Sequence, residues 1–266
     1  DIQTTIDIDI QEVAERALKE QLMKSDNNIE GATALVMEVE TGAIRAIANM
    51  KKDGKGGFDE SYNYAIGEAT EPGSVFKLVT LVSLLEDGYV TLDTPVDAGA
   101  GKWTVGGHTY SDTHPIGLVT VEKAFEQSSN VAFAKLAYEH YGNNQHAYAD
   151  RVQSMKIGER FNLDIQGEAR ATIYTPSDEA MWSKTTLTSM AIGYAALVTP
   201  LHTLTFYNAI ANDGKMMKPY FIENYQKNGE IVKEFEPQEI SGAICSKSTA
   251  KSAQRALRSV VEKGTG

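Results

Sequence analysis

The sequence has little cysteine, no long apolar run and no run of basic residues. Cys245 is the single cysteine among 266 residues, so the chain cannot form an internal disulfide. No histidine stands near Cys245 at a recognisable spacing, so we expect a buried thiol with no catalytic role. No apolar run approaches the roughly 20 residues that a transmembrane helix needs, and we expect neither a membrane span nor a signal peptide within these residues. The formal net charge of −11, without a basic run, argues against nucleic acid as a partner.

The composition is that of a globular domain. Hydrophobic residues make up 42% of the chain, which is ample for a buried core. The five histidines form no cluster with metal-ligand spacing, so we expect no metal site and no cofactor.

The strongest functional signal is Ser74-Val75-Phe76-Lys77. A serine hydroxyl is a poor nucleophile unless a base takes its proton, and a lysine three residues later on a helix lies on nearly the same face. Pro72-Gly73 breaks the chain directly before a predicted helix over 74–87. This places Ser74 at a helix N-terminus, where unpaired N–H groups favour a developing negative charge. The pattern therefore predicts a nucleophile, Ser74, and its base, Lys77.

A solvated stripe is the alternative interpretation of this helix. Lys77, Thr80 and Ser83 fall in one sector, which could face water. Phe76 and Leu84 share that sector, however, and a helix that is apolar almost all round is usually buried. A lysine on such a helix needs a partner or a lowered pKa.

A second polar motif, Ser128-Ser129-Asn130, lies between two predicted helices, 121–127 and 131–141. Serine and asparagine are poor helix-interior residues, so the motif predicts an exposed polar loop. An ordinary helix–helix turn is one interpretation. The functional one is a hydroxyl, Ser128, that relays protons and an amide, Asn130, that hydrogen-bonds a substrate carbonyl.

Together these motifs resemble those of the penicillin-binding protein and serine β-lactamase superfamily, whose signature is S-x-x-K, a relative of S-D-N, and K-T-G. The resemblance spans nearly the whole chain and points to the transpeptidase domain of class B penicillin-binding proteins, with the division type favoured. The further segments that carry it, in order, are Thr4-Thr5-Ile6-Asp7 with Gln11, Gly31–Val39 with Thr41-Gly42 and Ile47-Ala48, Tyr64-Ala65, Glu71-Pro72-Gly73-Ser74, Val131-Ala132-Phe133, Leu163-Asp164-Ile165 with Gly167-Glu168, Gly193 with Val198-Thr199-Pro200, and Ile210–Gly214.

The third motif of the family, Lys-Thr-Gly, does not occur in the 266 residues. The final Lys263-Gly264-Thr265-Gly266 is similar instead to a Gly-Thr-Gly that the family carries after the helix preceding that strand. We therefore expect residues 1–266 to form one transpeptidase domain that is incomplete at its C-terminal end. The resemblance leaves the activity of this chain alone open.

The resemblance implies an α+β fold in which an antiparallel sheet is flanked by helices, with the C-terminal strands of that sheet missing from this chain. It implies a peptidoglycan D,D-transpeptidase that cross-links stem peptides through an acyl-serine and is acylated by β-lactams. Ser74, Lys77 and Ser128 would be catalytic, and Asn130 would bind substrate. Cell-wall synthesis proteins of the divisome or elongasome, including a glycosyltransferase, would be partners. The location would be the extracytoplasmic side of the bacterial inner membrane, with an anchor upstream of Asp1.

Three alternatives stay open. A hydrolase of the same superfamily, a carboxypeptidase or β-lactamase, would pass the acyl group to water. A β-lactam sensor would couple acylation to a partner without turnover. A scaffolding domain of another class would not be acylated at all.

Local patterns predict several further elements. Residues 89–115 mix short apolar segments with Gly and Thr, which predicts an irregular excursion, and Trp103 and Tyr110 within it could line a cleft or pack. The remaining predictions are a helix over 9–23, a hairpin of 34–39 with 43–49, a helix from Pro200 capped by Thr199, a hairpin around Asn228-Gly229, and a last helix capped by Ser246 or Ser248 that ends near Val261.

Overall fold

The computed structural model describes residues 1–25 and 29–265, with Ser241 described by its backbone alone. The chain divides into two compact units, each built from three segments. Unit 1 is Asp1–Thr70, Glu159–Ala171 and Val198–Gly242, and unit 2 is Glu71–Gly158, Thr172–Leu197 and Ala243–Gly266.

Helices and short strands alternate along the described residues. The helices are α1 (Ile8–Lys24), α2 (Tyr64–Gly67), α3 (Lys77–Glu86), α4 (Val121–Glu126), α5 (Asn130–Tyr141), α6 (Gln145–Ser154), α7 (Thr186–Met190), α8 (Pro200–Ala211) and α9 (Lys247–Lys263), with a 3₁₀ turn at Gly73–Phe76. The strands are β1 (Ile2–Thr4), β2 (Gly31–Met37), β3 (Ile44–Lys52), β4 (Phe58–Glu60), β5 (Pro95–Asp97), β6 (Lys102–Val105), β7 (His108–Ser111), β8 (Leu118–Thr120), β9 (Thr172–Ile173), β10 (Ala196–Leu197), β11 (Lys215–Met217), β12 (Ile222–Lys227), β13 (Glu230–Glu234) and β14 (Glu239–Ala243).

Unit 1 holds the larger sheets. Strands β2, β3 and β4 form one antiparallel sheet, in which Ala34 pairs with Ala48, and β1, β12 and β13 form another. The first five residues of β3 alternate between buried and half-buried, as expected of a strand with one face on a core. That core contains buried apolar side chains from β2, β3, α2 and α8, among them Met37, Ile44, Ile66 and Leu201.

Unit 2 is built around α3. Every residue from Lys77 to Leu84 is buried, so this helix is enclosed on all sides. Helices α5, α6 and α9 contact it. Helix α9 is amphipathic and buries a stripe of small residues, Ala250, Ala253 and Ala256. The two-stranded sheets β5–β8, β6–β7 and β9–β10 complete the unit.

The predicted fold class is confirmed: helices combine with antiparallel strands, although the strands are distributed over several small sheets. Ser246 caps α9, since its Oγ accepts from the Thr249 N–H, and the helix runs to Lys263 rather than Val261. Thr199 caps α8 with Pro200 in its first turn. The Asn228-Gly229 hairpin forms as β12 and β13, with positive φ at both turn residues.

The structure also bears on the predictions for segment 89–115, for Cys245 and for membrane-spanning helices. The segment 89–115 is more regular than predicted, because β6 and β7 pair as a hairpin within it. Cys245 is buried, as expected. Among residues 1–25 and 29–265, no helix is both long enough and apolar enough to cross a membrane.

Candidate active site

Ser74 lies in a 3₁₀ turn that leads directly into α3. The sequence predicted one continuous helix from Ser74, but Gly73–Phe76 form a 3₁₀ turn and the α-helix itself begins at Lys77. This is a common way for an α-helix to begin, and it brings residues i and i+3 into register. The turn therefore places the Lys77 side chain directly over Ser74, and the Lys77 Nζ lies 2.8 Å from the Ser74 Oγ.

Lys77 is not part of a solvated stripe. Only 1% of its surface is exposed, and Thr80 and Ser83 are fully buried. The Lys77 Nζ also lies 3.0 Å from the Ser128 carbonyl oxygen, 3.1 Å from the Ser128 Oγ and 2.7 Å from the Asn130 Oδ1. The four residues predicted as the site thus converge on one amine.

The Ser128–Asn130 loop is shaped by the ends of two helices. Ser128 has a φ of +53°, an unusual value for serine, and this turns the chain between α4 and α5. Ser129 then caps α5, because its Oγ accepts a hydrogen bond from the Ala132 N–H. The two neighbours of Ser129, Ser128 and Asn130, are left to contact Lys77.

The donors and acceptors around Lys77 suit both of its protonation states. An ammonium has three protons to donate to four acceptors. The Asn130 Oδ1 and the Ser128 carbonyl oxygen can only accept. A neutral amine can give its two N–H groups to these two oxygens, which leaves its lone pair for a hydroxyl proton of Ser74 or Ser128.

Burial lowers the pKa of Lys77 from its ordinary value of 10.5 to about 8, because desolvation disfavours the ammonium. The negative charge of Asp112 opposes this shift. A lysine with a pKa of about 8 has an appreciable neutral fraction near neutral pH, as a general base requires.

Asp112 is the site residue that the sequence did not indicate. It follows β7, and its carboxylate accepts hydrogen bonds from the Ser129 Oγ at 2.6 Å and from the Val131 N–H at 3.1 Å. The neighbouring Ser111 carbonyl oxygen accepts from the Asn130 Nδ2 at 3.2 Å. Nothing in the local pattern of 89–115 distinguishes this aspartate from a surface loop residue.

A cavity of about 390 Å³ opens beside Ser74. It is lined by Ser74, Asp112, Thr113, His114, Ile116, Gln127, Ser128, Ser129, Asn130 and Thr265. Trp103 and Tyr110, for which the sequence left two roles open, pack instead. Tyr110 is buried with its hydroxyl 2.7 Å from the Thr188 Oγ1, and the Trp103 ring lies 6.1 Å from the Tyr110 ring, tilted by 32°.

The C-terminal residues of the described chain approach this cavity. Gly264 ends α9 so close to α4 that a Cβ there would lie 2.4 Å from the Glu126 carbonyl oxygen. Thr265 lines the cavity, whereas Gly266, which ends the segment Lys263-Gly264-Thr265-Gly266, lies outside the described residues.

Comparison with known proteins identifies the architecture around this serine–lysine pair. The family model described as the penicillin binding protein transpeptidase domain matches residues 32–266. The chain belongs to this family. This confirms the family that the sequence motifs suggested.

Two curated relatives match 97% and 71% of the chain. The penicillin-binding protein PbpB of Mycobacterium tuberculosis is 29% identical over 268 residues, which is 97% of this chain and 38% of that protein. The peptidoglycan D,D-transpeptidase FtsI of Escherichia coli is 26% identical over 193 residues, 71% of this chain and 32% of that protein. The chain thus spans about two fifths or less of the length of these curated relatives.

Solved transpeptidase structures share the fold. Penicillin-binding protein 3 of Mycobacterium tuberculosis in complex with aztreonam has a TM-score of 0.83 at 28% identity, and covers 100% of this chain and 60% of its own. The D,D-transpeptidase domain of a peptidoglycan glycosyltransferase from Eggerthella lenta has a TM-score of 0.84 at 26% identity, over 100% of this chain and 67% of its own.

Proposed function

We propose that this chain carries the acylation site of a peptidoglycan D,D-transpeptidase, with Ser74 as nucleophile and Lys77 as its base. The observation that carries the proposal is the 2.8 Å contact between the Lys77 Nζ and the Ser74 Oγ, made by a buried amine whose pKa is lowered to about 8. Nucleophile and base within hydrogen-bond reach, with the base held by further groups, is the arrangement that covalent catalysis by serine needs.

The first half of the reaction forms an ester. The Ser74 Oγ attacks the carbonyl carbon of a D-Ala-D-Ala bond while its proton passes to the neutral Lys77 Nζ. The Ser74 N–H, in the first turn of the helix, supplies one donor to the oxyanion. The C–N bond then breaks, and the departing amine receives a proton from the Ser128 hydroxyl, which Lys77 replenishes. The acyl group is left on Ser74.

The second half transfers that acyl group. An amine of a second stem peptide attacks the ester and gives up one proton to the neutral Lys77 Nζ as the new C–N bond forms. The bond from the acyl carbon to the Ser74 Oγ then breaks, and the Oγ takes that proton from Lys77. Asn130 orients the substrate during both halves. The Asn130 Oδ1 accepts a hydrogen bond from Lys77. One Nδ2–H donates a hydrogen bond to the Ser111 carbonyl oxygen, and the other is available to donate to a substrate carbonyl.

The same chemistry makes β-lactams covalent inhibitors, since they present a strained amide to Ser74. Two of the similar solved structures, both of penicillin-binding protein 3 from Mycobacterium tuberculosis, are complexes with aztreonam and ampicillin, which supports this proposal for the present chain.

We further propose an extracytoplasmic location at the inner membrane, an upstream anchor, and a role beside other cell-wall synthesis proteins. Division is favoured because FtsI proteins are among the relatives.

The test is the intact mass of the protein, in the longest form that can be expressed, before and after incubation with benzylpenicillin, followed by peptide mapping. We expect one penicilloyl group on the Ser74 peptide and none in Ser74→Ala at an unchanged circular dichroism spectrum. An adduct that persists in Ser74→Ala, or no adduct in the folded wild type, would overturn the proposal. Rapid loss of the adduct to water would indicate a hydrolase instead.

A further inference from the structure

Asp112 joins two backbone segments of unit 2 at the acylation site. One carboxylate oxygen accepts from the Ser129 Oγ and the other from the Val131 N–H, at 2.6 Å and 3.1 Å. A carboxylate at this position also meets the partial positive charge at the N-terminus of α5. The end of β7 is thereby fixed to the start of that helix.

These two bonds determine how the neighbouring loop is presented. The Ser129 Oγ already accepts from the Ala132 N–H, so its one proton is directed at Asp112. With Ser129 held on both sides, Ser128 is kept at its positive φ and Asn130 at the start of α5. A non-glycine residue in that region of backbone conformation persists only where its surroundings enforce it.

Asp112 also supplies charge. The titratable side chains that line the cavity, within the described part of the chain, are Asp112 and His114. The groups in direct contact with the Lys77 amine, Ser74, Ser128 and Asn130, carry no formal charge. The carboxylate therefore offsets part of the desolvation of the amine and preserves its strength as a base.

We propose that Asp112 is a positioning residue for acylation, which holds Ser128 and Asn130 against Lys77 and places a negative charge in the cavity that these two residues line with Ser74. The inference rests on the proposed function for its kinetic consequence, but its electrostatic part concerns the resting protein.

The Asp112→Asn variant distinguishes the two roles of Asp112, as a hydrogen-bond partner of the α5 N-terminus and as a negative charge. The amide oxygen can still accept from the Val131 N–H, and the amide N–H can donate to the Ser129 Oγ, so both contacts can persist while the charge is removed. Asp93→Asn is the matched control, because Asp93 is an exposed carboxylate of the same unit, 3.6 Å from Arg255 and outside the cavity lining. Asp112→Ala removes both the charge and the hydrogen bonds.

The kinetic measurement is the second-order rate constant for acylation of Ser74 by benzylpenicillin from pH 5 to 10. In Asp112→Asn we expect the rise of the rate constant with pH to occur at lower pH, and the plateau of the rate constant at high pH to fall, because Lys77 is then a weaker base. In Asp112→Ala we expect the plateau to fall by about tenfold or more, since displaced catalytic groups lose rate steeply. Asp93→Asn should reproduce the wild-type profile.

A second measurement is independent of acylation. The pKa of Lys77 is followed by NMR of ¹³C-lysine-labelled protein without ligand, with the resonance assigned by its loss in Lys77→Arg. We expect a lower Lys77 pKa in Asp112→Asn than in the wild type or Asp93→Asn. One outcome overturns this inference alone: the wild type is acylated, but Asp112→Asn changes neither the acid limb of the rate profile nor the pKa of Lys77. A wild type that is not acylated overturns the proposed function, whatever the NMR titration shows.

Discussion

Gly73 and Gly193 lie in direct backbone contact one residue before the nucleophile. The Gly73 N–H donates a hydrogen bond to the Gly193 carbonyl oxygen at 3.0 Å. Gly193 has a φ of +94°, and a Cβ on it would lie 1.8 Å from the Gly73 carbonyl oxygen. The turn that presents Ser74 is therefore closed against the chain that follows α7, and only glycine fits there.

Gly193→Ala should displace the Ser74 turn. A Cβ cannot be accommodated at 1.8 Å from a backbone oxygen, so the turn must shift or the local structure must open. We expect the rate of Ser74 acylation to fall by about 10²-fold, the loss associated with displacement of reacting groups by about 1 Å. Acylation kinetics and thermal unfolding together measure the effect.

The matched control is Gly88→Ala. Gly88 also has a positive φ, +72°, but a Cβ there meets no atom within 4 Å. This variant carries the backbone strain alone, about 1–2 kcal/mol. If both variants lose the same stability and both acylate normally, the close contact at Gly193 has no part in placing Ser74.

Lys77→Met should remove the base while leaving Ser74 in place. Methionine has a side chain of similar length without the amine, so the buried space stays filled. We expect acylation to slow by about 10²–10⁴-fold, the usual contribution of a general base. Lys251→Met, on the exposed face of α9, should acylate at the wild-type rate. Equal rates for the two variants would remove Lys77 from the mechanism.

The wild-type rate of acylation should itself depend on pH. The neutral form of Lys77 accepts the serine proton, and burial lowers the pKa of this lysine to about 8. The rate constant should therefore rise with pH and level off above about 8. A profile that is flat from pH 6 to 9 would contradict the assignment of Lys77 as the base.

Local chemistry accounts for the parts of the site that the sequence predicted. The Ser74–Lys77 spacing requires only a helical turn, and Thr199 and Ser246 each cap the helix that follows by accepting a hydrogen bond from its first turn. The Asn228-Gly229 hairpin likewise depends on two adjacent residues. Such features are encoded within a few positions of the chain.

The missed features depend on contacts between distant residues. Asp112 reaches Ser129 across 17 residues, and Gly193 contacts Gly73 from a still more distant segment. The 3₁₀ geometry of the Ser74 turn accompanies that second contact. No periodicity or composition signal within a single segment specifies which two segments meet, so neither contact could be read from the sequence.

Cys245 should be unreactive in the folded protein. It is 5% exposed, and burial raises the pKa of its thiol to about 12, so almost no thiolate forms at pH 8. We expect no reaction with Ellman's reagent in the native state and one equivalent in denaturant, with Cys245→Ser as the blank. Fast labelling of the native protein would show that the start of α9 opens readily.

His202 should make unit 1 less stable in acid. Its Nε2 lies 3.1 Å from the Glu159 carbonyl oxygen, which can only accept, so Nε2 carries the proton. The Nδ1 accepts a hydrogen bond from the Thr199 N–H at 3.4 Å and lies 2.7 Å from the Thr199 Oγ1. The neutral imidazole satisfies every partner, and a second ring proton would face a donor.

Burial lowers the pKa of His202 below its ordinary value of 6.5, because desolvation disfavours the imidazolium. As the pH falls below 6.5, His202 therefore binds a proton in the unfolded chain but not in the folded one. Its contribution to the free energy of unfolding is complete above pH 6.5 and is lost as the pH falls toward the pKa of the folded protein. The free energy of unfolding, measured in urea at pH 7.5, 6.5 and 5.5, should decrease toward pH 5.5 in the wild type and less steeply in His202→Gln. His146→Gln, at an exposed histidine of α6, should keep the wild-type slope, and equal slopes in all three proteins would show that His202 titrates as freely when folded as when unfolded.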